Sequence, residues 1–139
     1  MKGLRSLIRL HKWRVDEARR KLAALEGLAE DVRQRIAKLD AESEVEIGVA
    51  TASFESRRFF DGFARVVLER RARLTQTLAE LNAEIDLARE EAGAAFRELK
   101  KYELVQAREV AEERTALGRL QQRQLDEMGI DRFRRNAAG

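Results

Sequence analysis

The chain has 139 residues, of which 38% are charged, 6% are aromatic and none is proline or cysteine. This composition favours long solvated helices with a thin core, and the lack of cysteine excludes disulfides, thiolate metal sites and a cysteine nucleophile. The net charge of +3 is a small excess of 28 basic over 25 acidic residues, and no apolar run approaches the roughly 18 residues of a membrane-spanning helix. We therefore expect a cytoplasmic all-α protein with no signal peptide.

The first predicted helix carries a narrow stripe of apolar or small residues at alternating spacings of three and four. The stripe consists of Leu4, Ile8, His11, Val15, Ala18, Leu22, Leu25, Ala29, Val32, Ile36 and Leu39. A stripe this narrow is typical of a coiled-coil seam, because the core face of a globular helix is wider. The pattern predicts a helix over about 4–44 that must bury its seam against another helix.

A turn is expected where the heptad spacing lapses after Leu39. Polar residues take the seam positions there, and small residues follow over 48–53. Thr51 or Ser53 can accept hydrogen bonds from free backbone N–H groups as the N-cap of a new helix. These signals predict a turn over about 45–53.

The second predicted helix repeats the pattern on a longer scale. Its seam runs from Phe60 to Tyr102 in threes and fours, with Arg71 as an unusual charged member. Gly129 suits the left-handed position that ends many helices. We therefore predict a helix over about 54–128 and a frayed tail over 131–139. The C-terminal part of this helix is too long to be covered by the first.

Blocks of charge predict how the two helices pair. Residues 1–21 and 57–74 are mainly basic, and residues 26–55 and 76–98 are mainly acidic. If the chain folds back near Gly48, with the numbers of facing positions adding to about 98, each basic block lies along an acidic one. A parallel dimer would align like charges. The sequence thus predicts a single elongated domain, a two-helix antiparallel coiled-coil hairpin with a longer, overhanging second helix, monomeric when alone.

No arrangement of residues indicates catalysis. A solvated helix pair lacks the concave, water-poor site that chemistry requires, and the chain has neither a Walker-type glycine loop nor HExxH. The lone His11 falls on the seam, where packing is the simpler interpretation because a metal needs several ligands. We predict no catalytic, cofactor-binding or metal-binding residues, and no enzymatic activity.

Two surface features have alternative interpretations. The basic residues of 1–21 either match acidic residues within the chain or meet phosphates or anionic lipid. Phe54, Phe59, Phe60 and Phe63 lie close together, and the adjacent Phe59 and Phe60 cannot both face one helix. This cluster is either a docking surface or the packing of the hairpin tip.

Four features together resemble one protein family. They are the start with Leu4, Ile8, His11 and Trp13 among basic residues, the run from Asp16 to Leu22, the aromatic-rich start of the second helix, and the basic, Gln-rich ending of 119–128 followed by Arg132, Phe133, Arg134 and Arg135. On these features, and in length and topology, the whole chain resembles the flagellar export proteins of the FliJ type.

The resemblance implies a cytoplasmic stalk, peripheral at a membrane-bound type III export apparatus. Such a protein inserts the end that bears both termini into a hexameric export ATPase, contacts the cytoplasmic part of a membrane export-gate protein and handles export chaperones. The implied gate surface is Ile36, Leu39, Phe59, Phe60, Phe63, Ala64 and Val67. The implied ATPase surface is Leu4, Ile8, His11, Trp13, Arg14, Leu99, Tyr102, Leu117, Leu120 and Leu125.

Three other functions remain open from the sequence. The chain would also suit a general coiled-coil scaffold or oligomerisation protein, or a stalk of an injectisome-type secretion system. A basic helical nucleic-acid binder is a further alternative, given a sequence pI of about 9.6. Against it, acidic residues interleave with the basic ones and no face is purely basic. We therefore expect neither nucleic acid nor direct membrane insertion.

Overall fold

The structure consists of two helices. The computed structural model describes residues 2–50 and 54–138, with the side chains of 3–48 and 61–138. Helix α1 spans Lys2–Ala50 and helix α2 spans Phe54–Ala138, so the second helix is much the longer. No strand occurs in these ranges. The all-α prediction and the longer second helix are confirmed.

Contacts between α1 and α2 show that the helices run in opposite directions. The ammonium of Lys21 lies 3.1 Å from a carboxylate oxygen of Glu91, and the guanidinium Nε of Arg71 lies 2.9 Å from a carboxylate oxygen of Asp40. A higher residue number on α1 therefore meets a lower one on α2. This confirms the predicted antiparallel hairpin.

The paired helices group into two compact units. One, here called the hairpin unit, is Trp13–Phe96, and the other, the terminal unit, combines Met1–Lys12 with Arg97–Gly139. In the hairpin unit, the two most deeply buried residues are Ala29 and Ala88, with 0% and 1% of their surfaces exposed. Small residues at such positions allow two backbones to approach closely. The remaining buried apolar residues of the hairpin unit are Val15, Val32, Leu39, Val67 and Ile85.

The core of the terminal unit is smaller. Ile8 and His11 from α1 and Leu99 from α2 are buried, and the ring of His11 stacks on that of Tyr102 with centroids 4.6 Å apart. From position 111 to position 138, every described residue is exposed. The core is thus as thin as the composition predicts.

Both predicted helix ends were placed too early. Helix α1 continues to Ala50 instead of ending near 44, because polar residues can interrupt a seam without breaking a helix. Helix α2 continues to Ala138, so the stop at 128 and the frayed tail over 131–139 were wrong. No glycine among the described residues, Gly129 included, has a positive φ. The basic residue Arg135 in the last turn favours the continued helix through the helix dipole.

The predicted pairing register was also wrong. Asp40 pairs with Arg71, although the predicted register set it opposite position 58. In the same way, Glu26 pairs with Arg89 instead of position 72. Because α1 extends to Ala50, the chain reverses later than Gly48, and this accounts for part of the shift. The last three residues of the predicted turn, 51–53, lie outside the described residues.

Candidate interaction surfaces

The residues of the implied gate surface do not form one exposed patch. Leu39 and Val67 are buried in the seam, and Ile36, Phe63 and Ala64 are half-buried. With the observed register, Leu39 lines a groove with Leu74, so it does not face Val67. The side chains of Phe59 and Phe60 lie outside the described residues. The gate surface remains a prediction.

Sequence reasoning missed several exposed apolar side chains in the hairpin unit, including one pair on each helix. Val45 and Ile47 on α1 and Val66 and Leu68 on α2 expose about half to two thirds of their surfaces. These residues do not lie at the seam positions, so the seam pattern did not identify them. An apolar residue at an off-seam position is itself the signal, since nothing within the helix pair buries it.

The implied ATPase surface divides into buried and exposed residues. Ile8, His11 and Leu99 are buried, Leu4 and Tyr102 are half-buried, and all five belong to the terminal unit. The exposed members of the set are Trp13 and Arg14 in the hairpin unit and Leu117, Leu120 and Leu125 in the terminal unit. The buried members hold the two helices together, so a partner can reach only the exposed ones directly.

The C-terminal part of α2 carries a series of exposed apolar residues. We call residues 116–138 the α2 extension. Its large apolar side chains are all exposed, from about half of the surface at Ile130 to 74% at Phe133. They are Leu117, Leu120, Leu125, Met128, Ile130 and Phe133. No part of α1 that the structure describes covers them.

His11 acts as a packing residue in this structure. Only 6% of its surface is exposed, and its ring stacks on Tyr102 with 24° between the ring planes. The ammonium of Lys101 lies 5.6 Å from the Tyr102 ring centre, close enough for a cation–π contact. Over the described ranges, no group of three or more His, Cys, Asp or Glu residues can hold a metal ion.

The interhelix ion pairs seen between described residues lie in the hairpin unit and are half-exposed. Arg71 donates two hydrogen bonds to Asp40, at 2.9 and 3.4 Å, so the two charges are held in a two-pronged geometry. The hydrogen bond that Arg71 donates to Asp40, followed by the negative charge of this carboxylate, raises the pKa of Arg71 above the ordinary value. The charged seam residue singled out from the sequence therefore has a defined partner at the edge of the seam.

The basic N-terminal residues are matched by acidic ones at few positions. Lys21 pairs with Glu91 on α2, and Arg20 pairs with Glu17 on its own helix. Within the described part of the chain, no other basic side chain of residues 3–21 makes an ion pair. Ion pairs within the chain thus account for only a small part of the positive charge of this segment.

Open grooves follow the line where α1 and α2 meet. In the hairpin unit, one groove of about 510 Å³ is bordered by three acidic and two basic side chains, and another, of about 430 Å³, by one acidic and three basic side chains. The terminal unit has a groove of about 540 Å³ between Ile8 and Val110. Neither helix has a stretch in the described ranges that is apolar and long enough to cross a membrane.

This architecture is that of a two-helix coiled-coil hairpin protein whose second helix is longer than the first. A comparison with protein families matches residues 1–138 to the family described as flagellar FliJ protein. The chain therefore belongs to the FliJ family, whose members are components of the flagellar export apparatus, and the resemblance drawn from the sequence is confirmed. Comparisons with curated proteins and with solved structures gave no match.

Proposed function

We propose that this chain is a non-enzymatic stalk subunit of the flagellar type III export apparatus. In this role the terminal unit binds inside a hexameric export ATPase, and the residues around the turn bind the cytoplasmic part of a membrane export-gate protein. Export chaperones are further partners. The protein works at the cytoplasmic side of the membrane and leaves nucleotide hydrolysis to the ATPase.

The α2 extension is the observation that carries this proposal. A helix that exposes Leu117, Leu120 and Leu125 beside charged residues gains stability when a partner covers it, since isolated amphipathic helices are marginal in water. A ring-shaped partner can bury such a helix from several sides. Membership of the FliJ family supports an export ATPase as this ring-shaped partner.

The mechanism that follows is a population shift without chemistry in the stalk. An ATPase subunit that contacts the extension better in one conformation becomes more populated in that conformation. The stalk can therefore raise the rate of hydrolysis only to the extent that its contacts differ between subunit conformations. Weak contacts, such as exposed leucines and half-exposed charges, suit a stalk that must engage different subunits in succession.

The test is the ATPase activity of the cognate export ATPase, measured as phosphate release with and without this chain. We expect the wild-type chain to raise the activity and to have none alone. The variant L117E, L120E, L125E replaces exposed apolar side chains with charged ones. The concentration of this variant that gives half-maximal stimulation of the ATPase should be at least about tenfold higher than that of the wild-type chain, equivalent to roughly 1.4 kcal/mol of binding free energy. No stimulation by the wild-type chain would contradict the proposal.

A second variant serves as the matched control. F59D, F60D changes the predicted gate surface and leaves the extension intact. It should stimulate the ATPase like wild type but lose binding to the purified cytoplasmic part of the gate protein, whereas the leucine variant should keep that binding. If both variants lose both activities, the division of the chain into a ring-binding end and a gate-binding end is wrong.

A further inference from the structure

A groove in the hairpin unit combines an apolar floor with a basic rim. Leu39, which is buried, and Leu74, which is half-buried, lie at its base where α1 and α2 meet. The groove has a volume of about 430 Å³ and is open to solvent. The rim is formed by four charged side chains, Arg35, Lys38, Glu42 and Arg70.

Among the residues that the structure describes, the three cations of this rim have no ion-pair partner. Over the described residues, Arg35, Lys38 and Arg70 take part in none of the ion pairs, which include Arg71 with Asp40. Arg70 and Arg71 leave α2 roughly 100° apart, because an α-helix turns once in 3.6 residues. On one side of the seam, the charge of Arg71 is therefore neutralised by Asp40. On the side of the groove, three basic side chains and one acidic side chain, Glu42, leave a net positive charge.

We propose that this groove binds an acidic amphipathic helix of a partner protein. Apolar residues spaced three and four apart on such a helix would rest on Leu39 and Leu74, as a third strand of the coiled coil. Its flanking Glu or Asp side chains would meet Arg35, Lys38 and Arg70 on the rim. Charge complementarity thus selects the partner, and the apolar floor supplies the buried contact.

The groove suits a peptide helix better than it suits phosphate. Nucleic acid or a free phosphate would meet the basic rim but would make no use of the leucine floor. The inference goes beyond the stalk role, because the groove shares only Leu39 with the implied gate surface and no residue with the α2 extension. The groove residues can bind their partner whether or not the chain stimulates an ATPase.

The probe is a fluorescein-labelled peptide of about 21 residues, three heptads, with Leu at the seam positions and Glu beside them. Its binding to the full chain is followed by fluorescence anisotropy, against a scrambled peptide of the same composition. The variant R35E, K38E, R70E should weaken binding at least about tenfold, since three favourable pairs become repulsive. The control variant R19E, R65E, R73E makes the same charge change at unpaired positions outside the groove, and should weaken binding less than about threefold.

Three results would overturn the proposal. The first is equal binding of the designed and scrambled peptides, and the second is an equal loss of binding in the two variants, which would show general charge attraction. The third is binding of a 5′-labelled DNA duplex at the groove, abolished by R35E, K38E, R70E, with no binding of the peptide. Circular dichroism of each variant checks that the helices are intact, and a variant with single reversal R70E replaces the triple one if folding is lost.

Discussion

At the scale of single residues, the hairpin unit depends on two alanines. Ala29 and Ala88 are the most deeply buried residues, with 0% and 1% exposure, while no large side chain in the described residues is fully buried. The sequence placed both on the seam by spacing. It could not show that they are the sites of closest packing, because that depends on the register between the helices.

Replacing Ala29 with leucine should therefore destabilise the protein. The added side chain has no space between the helices, and overpacking of this kind costs about 1–3 kcal/mol in the free energy of unfolding. Urea unfolding followed by circular dichroism measures the difference. Ala83→Leu at an exposed position of α2 is the matched control and should change stability by less than about 0.5 kcal/mol. An equal effect of both changes would contradict the packing described here.

The pair formed by Asp40 and Arg71 gives a second residue-scale prediction. Reversing one charge, as in D40R, should lower the melting temperature, and the double exchange D40R, R71D should recover part of the loss. The effect should shrink in 1 M salt because the pair is half-exposed. Equal melting temperatures for the single and double variants would show that the two side chains do not interact.

The pH dependence of this pair follows from the raised pKa of Arg71. A group whose pKa is higher in the folded state stabilises the fold below its unfolded pKa, and this contribution is lost only as the pH rises through the folded value. For arginine both values lie far above neutral. The difference in melting temperature between wild type and R71Q should therefore be the same at pH 7 and pH 10. A difference that vanishes by pH 10 would be inconsistent with the assigned pair.

At the scale of elements, the seam predicts the helices well and their limits poorly. Leu39, Val67 and Leu99 are buried as their spacing indicates. The end of α2 was misjudged because a glycine that suits a C-cap, such as Gly129, is also tolerated within a helix at a cost of about 1 kcal/mol. The register was misjudged because complementary charge blocks are long, and a shift of several turns still places many opposite charges together.

The α2 extension permits a prediction about the element as a whole. In a chain ending at Thr115, the described residues that are removed, 116–138, are all exposed. The melting temperature of the remaining helix pair should therefore stay the same, while the helical ellipticity falls with the number of residues removed. Stimulation of the export ATPase should be lost. A large drop in melting temperature would mean that the extension packs against the rest of the chain.

At the scale of the whole molecule, one chain supplies both helices of the pair. Antiparallel contacts such as Lys21 with Glu91 can form within a single chain or between two, and the sequence favours the first because the charge blocks match on folding back. When one chain buries the seam residues of both helices against each other, its off-seam residues and the α2 extension stay available to partners. The predicted monomer and the proposed stalk role both depend on this arrangement.

The most direct test uses the natural absence of cysteine. Cysteines introduced together at Asp40 and Arg71, whose side chains are in contact, are treated with a short bismaleimide crosslinker and analysed by denaturing mass spectrometry and gel filtration. We predict crosslinked chains of monomer mass, and no reaction between the two sites in a control with the second cysteine at Gln124. Crosslinked dimers as the main product would contradict a hairpin formed by one chain.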